Sequence, residues 1–412
     1  MASRSDAVQV GRPRASSATR SRAAESELRL GHPAVLIGLT ACALVVVGLV
    51  MILSASSVSS FATYGSSFWF FKKQLLWVVM GAVGLLVASR FDYRKLAGAG
   101  YLAYALAVLL LIVVLVPGVG VSVGGSARWI AIGPIQFQPS EMAKLALVLF
   151  GAEVFARKKE STFGDFSHAM LPMIPAIAVL GLLIMMQPDL GTTLIIGNIG
   201  MSLLFVAGAR LRHLVPVGLA GATVALAAAF SADYRRARIL AFVDPWADPL
   251  NTGYQTIQSL IALGSGGWFG VGLGASRQKW MYIPNAHTDF IYAILGEEMG
   301  LLGTLSVLAL FAFLTYMGVR TARRAPDRFG MLLAAGITVW ISLQALINIG
   351  AVTASLPITG VPLPLVSFGG SSLVITLIAV GMLANIALQG ERAAARRRPR
   401  APVASSRRGR TA

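Results

Sequence analysis

Long apolar runs separated by short polar segments dominate the chain. A helix needs about 17–25 apolar residues to cross the hydrocarbon core of a bilayer. Runs that meet this length lie at 33–54, 69–89, 97–116, 140–156, 169–186, 191–208, 214–230, 288–319, 329–351 and 365–388. The pattern predicts an all-α integral membrane protein, a bundle of about ten transmembrane helices.

Composition and charge agree with a membrane protein and argue against a nucleic-acid partner. Hydrophobic residues make up 56% of the chain, charged residues make up 13%, and mean hydropathy is +0.72. The net charge of +18 would form a surface patch in a nucleic-acid binder, but most basic residues lie in the tails and in short connecting segments. The chain has one cysteine, Cys42, within an apolar run, and a single cysteine can build neither a disulfide framework nor a Cys-ligated zinc site.

The basic residues predict the orientation of the chain. They cluster before the first span, at 90–95, 157–159, 210–212 and 320–328, and after the last span. Lys and Arg in short segments stay on the cytoplasmic side, so we expect both termini there. The tails, 1–32 and 389–412, are rich in Arg, Ala, Ser and Pro, which predicts disordered segments around a membrane domain at 33–388.

Two segments outside regular spans are candidates for function. The first, 231–287, is predicted as a large exterior loop between the seventh and eighth helices, and loops of this length are usually functional. Its glycine-rich part, 264–274, matches neither the dinucleotide fingerprint nor the phosphate loop. The second, 357–370, is rich in Pro and Gly. Non-helical backbone at membrane depth is tolerated where it is buried in protein or lines a cavity, so we expect a binding crevice there.

Ionisable residues within or beside apolar spans are expensive and are therefore functional candidates. Glu141 and Lys144 are three residues apart, a spacing that allows either a mutual ion pair or contact with a charged ligand in a cavity. Asp189 follows a proline and precedes a predicted helix, so it either caps that helix or supports catalysis. Glu297 and Glu298 are expected to have structural or gating roles.

Asp289 opens the eighth predicted span. It either caps this helix or acts chemically. Of the four histidines only His287 lies within two residues of a carboxylate, and none has ligand partners at metal-binding spacing.

The order of the motifs resembles the SEDS (FtsW/RodA/SpoVE) family of shape, elongation, division and sporulation proteins, which polymerise peptidoglycan. The matching stretches are ARWI at 127–130, FQPSEMAKLA at 137–146, QPDLGT at 187–192, DPWADP at 244–249, GYQ at 253–255, AHTDF at 286–290 and GVPLPLVSFGGSS at 360–372. They extend over nearly the whole membrane region. Three features, 54–57, 244–249 and 286–289, resemble the division branch of the family more than the elongation branch.

The resemblance implies roles for individual residues. Asp289 corresponds to the catalytic carboxylate. Further residues are implied to bind the lipid substrate, with no metal ligand assigned: Arg128, Glu141, Lys144, Asp189, Gln255, Lys279, His287 and Ser367. Arg128, Lys144, Arg277 and Lys279 are the cations available to a leaving diphosphate.

The resemblance also implies a reaction, lipid II polymerisation at the outer face of the bacterial plasma membrane during division. The acceptor hydroxyl attacks the donor sugar with inversion, and a carboxylate removes its proton. A class B penicillin-binding protein transpeptidase and other division proteins are the implied partners. A divalent cation, Mg or Mn, is compatible with the chemistry, but the sequence has no full ligand set. A transporter that flips lipid II and a non-catalytic division scaffold stay open as alternatives.

Overall fold

The fold is described from a computed structural model covering residues 32–123, 126–133, 135–159, 165–280, 282–284 and 286–397. The predicted disorder of the basic tails falls largely outside these residues. Within them, eight helices or helix pairs are long and apolar enough to cross a membrane. The predicted multi-pass membrane protein is therefore confirmed.

The predicted spans correspond to helices in the same order along the chain. The first five are α1 (Pro33–Tyr64), α2 (Trp69–Arg90), α3 (Gly100–Leu115), α4 (Pro139–Ala156) and the pair α5 (Phe166–Met170) with α6 (Met173–Met185). α7 (Leu190–Ala207) and α8 (Leu211–Phe230) follow, and the shorter helices α9 (Asp233–Val243) and α10 (Tyr254–Gly266) come next. The last three are α11 (Ile291–Arg324), α12 (Arg328–Val352) and α13 (Gly370–Arg397). α3 is short and α4 carries three charged residues, so these two complete the set of ten without meeting the strict criterion.

A small antiparallel sheet joins α3 to α4, where the sequence predicted only a connection. Its strands are β1 (Gly120–Val123), β2 (Ser126–Ile132) and β3 (Ile135–Phe137), in the order β1-β2-β3. Ile130 of β2 pairs with Gly120 on one side and with Phe137 on the other. The sheet places Arg128 at the end of the bundle that also carries the start of α4.

The segment between α8 and α11 was predicted as a loop and contains two helices. α9 (Asp233–Val243) and α10 (Tyr254–Gly266) are joined by a 3-10 turn at Pro245–Ala247. The Ser259 hydroxyl donates to the Val352 carbonyl at 2.7 Å and so ties α10 to the end of α12. The segment between α8 and α11 therefore packs against the helix bundle.

Helices α12 and α13 form the centre of the bundle, and α8 lies at its edge. Most of the apolar part of α13 and of α12 is buried, whereas most of α8 is exposed. The non-helical segment between α12 and α13 enters the protein interior, where Val361, Leu363 and Val366 are buried. The predicted break in the helices is therefore present, and protein surrounds it, as the physics of the bilayer requires.

Helix α11 is kinked at Gly300, which has a φ of +66°. A Cβ there would lie 2.4 Å from the Gly270 nitrogen, so the neighbouring segment 267–272 packs directly against the kink. The backbone N–H groups of Val271 and Gly272 donate to the carbonyls of Glu297 and Glu298. Only glycine combines this positive φ with such a close approach.

The C-terminal boundary of the membrane domain differs from the prediction. α13 continues to Arg397, whereas disorder was predicted from 389. Its last turns are rich in Ala and Arg, which are strong helix formers. Glu391 also pairs with Arg324 of α11 at 3.2 Å.

Candidate active site

Asp289 lies in a short turn, two residues before α11 begins. Its neighbour Phe290 is buried, while Asp289 itself is only partly buried. α11 has no side-chain cap, and no residue in the described part of the chain donates a hydrogen bond to the Asp289 carboxylate. The capping role that the sequence allowed is therefore not realised, and the carboxylate remains available for chemistry.

The backbone on either side of this carboxylate is held by three successive hydrogen bonds. The carbonyl of His287 accepts from the Phe368 N–H at 2.9 Å. The carbonyl of Thr288 accepts from the Ser367 hydroxyl at 2.6 Å, and that of Asp289 accepts from the Asn348 amide at 2.8 Å. Three donors on the segment 348–368 thus fix the position from which the Asp289 side chain projects.

Gly360 lies next to the carboxylate. Its φ is +73°, and a Cβ at this position would lie 3.6 Å from Oδ2 of Asp289. The second hydrogen of the Asn348 amide goes to the carbonyl of Val361 at 2.8 Å. Asn348 therefore connects the turn that carries Asp289 to the segment that carries Gly360.

Burial raises the pKa of Asp289 to about 6. The positive charges of Arg238 and Arg128 act in the opposite direction, and the negative charge of Asp189 raises the pKa further. Asp289 is thus a stronger base than an exposed aspartate and is still mostly ionised at neutral pH. These are the properties expected of a general base.

Asp189 and Arg128 form the adjoining corner of the site. Asp189 caps α7, since its carboxylate accepts from the Thr192 N–H and hydroxyl, each at 3.0 Å. Arg128 donates to the carbonyls of Gln187 at 2.9 Å and Pro188 at 2.6 Å, and lies 3.8 Å from Asp189. The capping interpretation of Asp189 is confirmed, and Arg128 is already bonded to this corner.

His287 lies in an aromatic cluster and is held neutral. Its ring centroid is 4.5 Å from that of Phe70 and 5.6 Å from that of Phe368. Burial lowers the pKa of His287 to about 4. An uncharged ring in this position packs against the start of α2 and offers no positive charge to an anionic substrate.

Glu141 and Lys144 form an ion pair at 2.8 Å, and both are buried. The Lys144 ammonium also donates to Oε1 of Gln344 at 2.8 Å and lies 5.2 Å from the centre of the Trp340 ring. Gln344 in turn donates to the carbonyl of Pro362 at 3.1 Å. The mutual ion pair that the sequence allowed is present, and it supports the segment that faces Asp289.

Lys279, Glu297 and Glu298 belong to a different cluster, near the kink in α11. Glu297 accepts from the backbone N–H of Arg277 at 2.9 Å, and Ser54 donates to Glu298 at 2.6 Å. The Lys279 ammonium lies 3.9 Å from Glu298 and donates to the carbonyl of Gly274. The structural interpretation of the two glutamates is supported, because they anchor the segment 274–279 to α11.

Gln255 and Ser367 are the remaining residues that the sequence implied to bind substrate. Gln255 lies partly buried in the first turn of α10. Ser367 is buried, donating to Thr288 and accepting from the Leu363 N–H, so its hydroxyl positions backbone. Within the described residues no group of three or more His, Cys, Asp or Glu side chains could hold a metal ion.

The sequence reasoning missed Gln344 and Asn348. They are four residues apart in an apolar span, and Trp340 lies one turn before Gln344. This spacing places all three on one helix face. Two amide side chains on one face of an apolar span are a sequence signal that could have identified these two residues as hydrogen-bonding partners of the site.

Comparisons with known proteins agree with the geometry. The family model described as "Cell cycle protein", FTSW_RODA_SPOVE, matches residues 34–392. Stage V sporulation protein E of Bacillus subtilis is 42% identical over 354 residues, covering 86% of this chain and 96% of that protein. The probable peptidoglycan glycosyltransferase FtsW of Geobacter metallireducens is 41% identical, covering 84% and 92%.

Two solved structures have a similar fold. A chain from the study "Structural coordination of polymerization and crosslinking by a peptidoglycan synthase complex" is 30% identical, with a TM-score of 0.69, covering 86% of this chain and 97% of that chain. The rod shape determining protein RodA of Thermus thermophilus is 28% identical, with a TM-score of 0.62, covering 85% and 95%. Together with the match over 34–392, these similarities show that the chain belongs to the FtsW/RodA/SpoVE family of cell cycle proteins.

Proposed function

We propose that this protein is a peptidoglycan glycosyltransferase that polymerises lipid II, with Asp289 as its general base. The observation that carries the proposal is the Asp289 carboxylate, which has no hydrogen-bond donor in the described chain, lies next to Gly360 and has a pKa raised to about 6. Relatives that are about 41% identical have names that describe the same activity. The transfer is a single inverting displacement.

In this reaction the 4-hydroxyl of the acceptor GlcNAc attacks C1 of the donor MurNAc. A sugar hydroxyl is a weak nucleophile, so removal of its proton in the transition state accelerates the attack. The new bond joins O4 to C1, and the bond from C1 to the diphosphate oxygen breaks. The proton goes to the Asp289 carboxylate, and the electron pair leaves with undecaprenyl diphosphate.

The rigidity of the backbone around Asp289 supports this role. A general base must stand within hydrogen-bond reach of the proton that it removes, and small displacements of a catalytic group are costly. The carbonyls of residues 287, 288 and 289 are each held by a separate donor. The carboxylate therefore starts from a fixed position when the two lipid-linked sugars bind.

The protein acts in the bacterial plasma membrane, with both termini in the cytoplasm and the 231–287 segment outside. The concentration of Lys and Arg in the tails and in alternate connections supports this orientation. Asp289 then lies at the outer face, where the lipid-linked disaccharide is polymerised. The names of the FtsW relatives support a place at the division septum.

A class B penicillin-binding protein transpeptidase is the proposed partner. The similarity to a chain from a complex that coordinates polymerization with crosslinking supports this pairing. Crosslinking uses the strands that polymerisation produces, so a physical association brings the two activities to one place.

Purified protein mixed with lipid II tests the function directly. We expect glycan strands longer than a disaccharide, separated by gel electrophoresis and detected through the labelled substrate. In liposomes loaded with lipid II, translocation without polymerisation would contradict the proposal and favour a transporter. Neither activity, in a protein that binds its transpeptidase, would favour a scaffold.

A further inference from the structure

The proposed reaction requires a positive charge near the leaving diphosphate. Cleavage of the bond to C1 leaves negative charge on the diphosphate, and a positioned cation lowers the barrier by stabilising that charge. The inference that follows rests on the proposed function. A cation that binds the diphosphate must not already be held by other groups of the protein.

Three of the cations that the sequence offered are already engaged. Arg128 donates to the carbonyls of residues 187 and 188, Lys144 is buried between Glu141 and Gln344, and Lys279 lies against Gly274 and Glu298. Moving any of them to a ligand would leave a buried acceptor or carboxylate without its partner, which is costly.

The fourth cation, Arg277, lies farther from the site. Its backbone N–H is bonded to Glu297. Glu297 follows Asp289 by about two helical turns. The exposed Arg277 side chain therefore belongs to the cluster near the kink in α11 and not to the surroundings of Asp289.

Helix α9 places a different arginine at the site. The Tyr234 hydroxyl donates to the Pro188 carbonyl at 3.4 Å, on the same corner that carries Arg128 and Asp189. The Arg238 guanidinium is 5.9 Å from the centre of the Tyr234 ring. Residues four apart share one face of a helix, so Arg238 lies on the side of α9 that faces this corner.

Arg238 keeps its charge and its donors free. Its neighbour Arg235 donates to the Tyr234 hydroxyl at 2.9 Å and to the Ala228 carbonyl at 2.6 Å. Arg238 is exposed and has no hydrogen bond or salt bridge within the described part of the chain. Of the charged groups that act on the pKa of Asp289, Arg238 has the largest effect.

We propose that Arg238 binds the diphosphate of the lipid-linked donor and stabilises the charge that develops on it when the bond to C1 breaks. The planar guanidinium can donate two parallel hydrogen bonds to one phosphoryl group. Asp289 receives the proton of the acceptor, and Arg238 faces the departing diphosphate. Asp289 thus acts on the attacking hydroxyl, and Arg238 acts on the leaving group of the same displacement.

Arg238→Gln tests this role, with Arg236→Gln as the matched control on the same helix. Arg236 is also exposed, and it is not among the groups that act on Asp289. We expect Arg238→Gln to lower lipid II polymerisation by roughly 100-fold, the scale of losing one charge-stabilising donor, with an unchanged melting temperature. Arg238→Lys should recover part of the rate, since it restores the charge but not the planar fork. Equal rates for Arg238→Gln and Arg236→Gln would overturn the inference.

A binding measurement separates this inference from the proposed function. Undecaprenyl diphosphate is the probe, and its affinity should fall about tenfold in Arg238→Gln and stay unchanged in Arg236→Gln. If wild-type protein binds the probe through Arg238 but makes no glycan, the proposed function fails and the Arg238 site stands. If it polymerises lipid II and Arg238→Gln changes neither rate nor affinity, the Arg238 site fails and the function stands.

The pH profile gives a readout that a purely structural role of Arg238 would not move. The charged groups that act on Asp289 are Arg238 of α9, Arg128 of β2 and Asp189 before α7, and the neutral His287 is two residues away. Removal of the Arg238 charge favours the protonated form of Asp289. The acid limb of kcat/KM should therefore move to higher pH in Arg238→Gln and not in Arg236→Gln. An unmoved limb would contradict the placement of Arg238.

Discussion

At the scale of single residues, the protonation of Asp289 controls whether a proton can be accepted. Burial raises the pKa of this carboxylate to about 6. Below that pH the carboxyl group carries a proton and cannot act as a base, and above it the ionised form is available. We expect kcat/KM for lipid II to fall about tenfold per pH unit below this pKa and to reach a plateau above it.

Polymerisation rates measured at low substrate concentration across the acid range check this expectation. Asp289→Glu is the companion variant, because it keeps a carboxylate but moves it by one methylene group; its rate should be lower throughout. A wild-type profile that stays flat down to the ordinary aspartate pKa, about 3.9, would contradict the role of burial at this site.

The resemblance to the SEDS family assigned the catalytic role to Asp289. Its position at the start of an apolar span had only made it a candidate. That position could not by itself decide its role, since capping and chemistry both begin from the same position along the chain. The structure separates the two roles: Asp189 accepts from Thr192, three residues later, as a cap does, while the backbone of Asp289 is held by Asn348, which is 59 residues away in the chain. The neutrality of His287 likewise depends on packing against Phe70 and Phe368.

At the scale of elements, α12 positions the catalytic turn through one side chain. Asn348 is buried, and its amide donates to the carbonyls of Asp289 and Val361. Leucine has a similar size but cannot donate, so Asn348→Leu leaves the buried Val361 carbonyl and the partly buried Asp289 carbonyl unpaired, at a cost of up to about 1–3 kcal/mol each. We expect a lower melting temperature and a fall in kcat larger than any rise in KM.

Asn198→Leu is the control for this change. Asn198 is exposed on α7, and among the described residues its side chain bonds only to its own helix, through the carbonyl of Leu194. The same substitution there should leave both kcat and melting temperature near wild type. If Asn348→Leu behaved like this control, Asn348 would have no part in positioning Asp289.

The buried pair on α4 gives a second test at this scale. Glu141 and Lys144 neutralise each other, and each alone would be an uncompensated buried charge. Breaking such a pair costs about 3–5 kcal/mol, whereas replacing both partners with apolar residues costs much less. We expect Glu141→Leu and Lys144→Met each to lower the melting temperature more than the double variant does. A double variant less stable than both single variants would contradict this account.

Helices marked by long apolar runs could be predicted from the sequence, and elements that form through contacts with distant residues could not. The ten spans follow from apolar length alone. The strands β1 to β3 are short and have little alternation, and they form because they pair with one another beside α3 and α4. α9 and α10 are too short and too polar to be predicted as spans. α10 is held in place by its contact with α12.

At the scale of the whole molecule, the distribution of basic residues predicts the orientation in the membrane. Cysteines at 5, 250 and 405 test it in a Cys42→Ala background, since Cys42 is the single native cysteine. Leu250 is 82% exposed in the segment between α8 and α11. An impermeant thiol reagent should label the cysteine at 250 in intact cells and reach those at 5 and 405 only after lysis. Labelling of either tail from outside would reverse the orientation.

The central claim is that Asp289 removes the acceptor proton, and Asp289→Asn tests it most directly. Asparagine preserves the shape of the side chain but cannot accept the proton at physiological pH. We expect normal membrane insertion and thermal stability, with lipid II polymerisation reduced by roughly two orders of magnitude or more. Asp165→Asn, the same change at an exposed aspartate, should polymerise at the wild-type rate. Near wild-type polymerisation by purified Asp289→Asn would contradict the account.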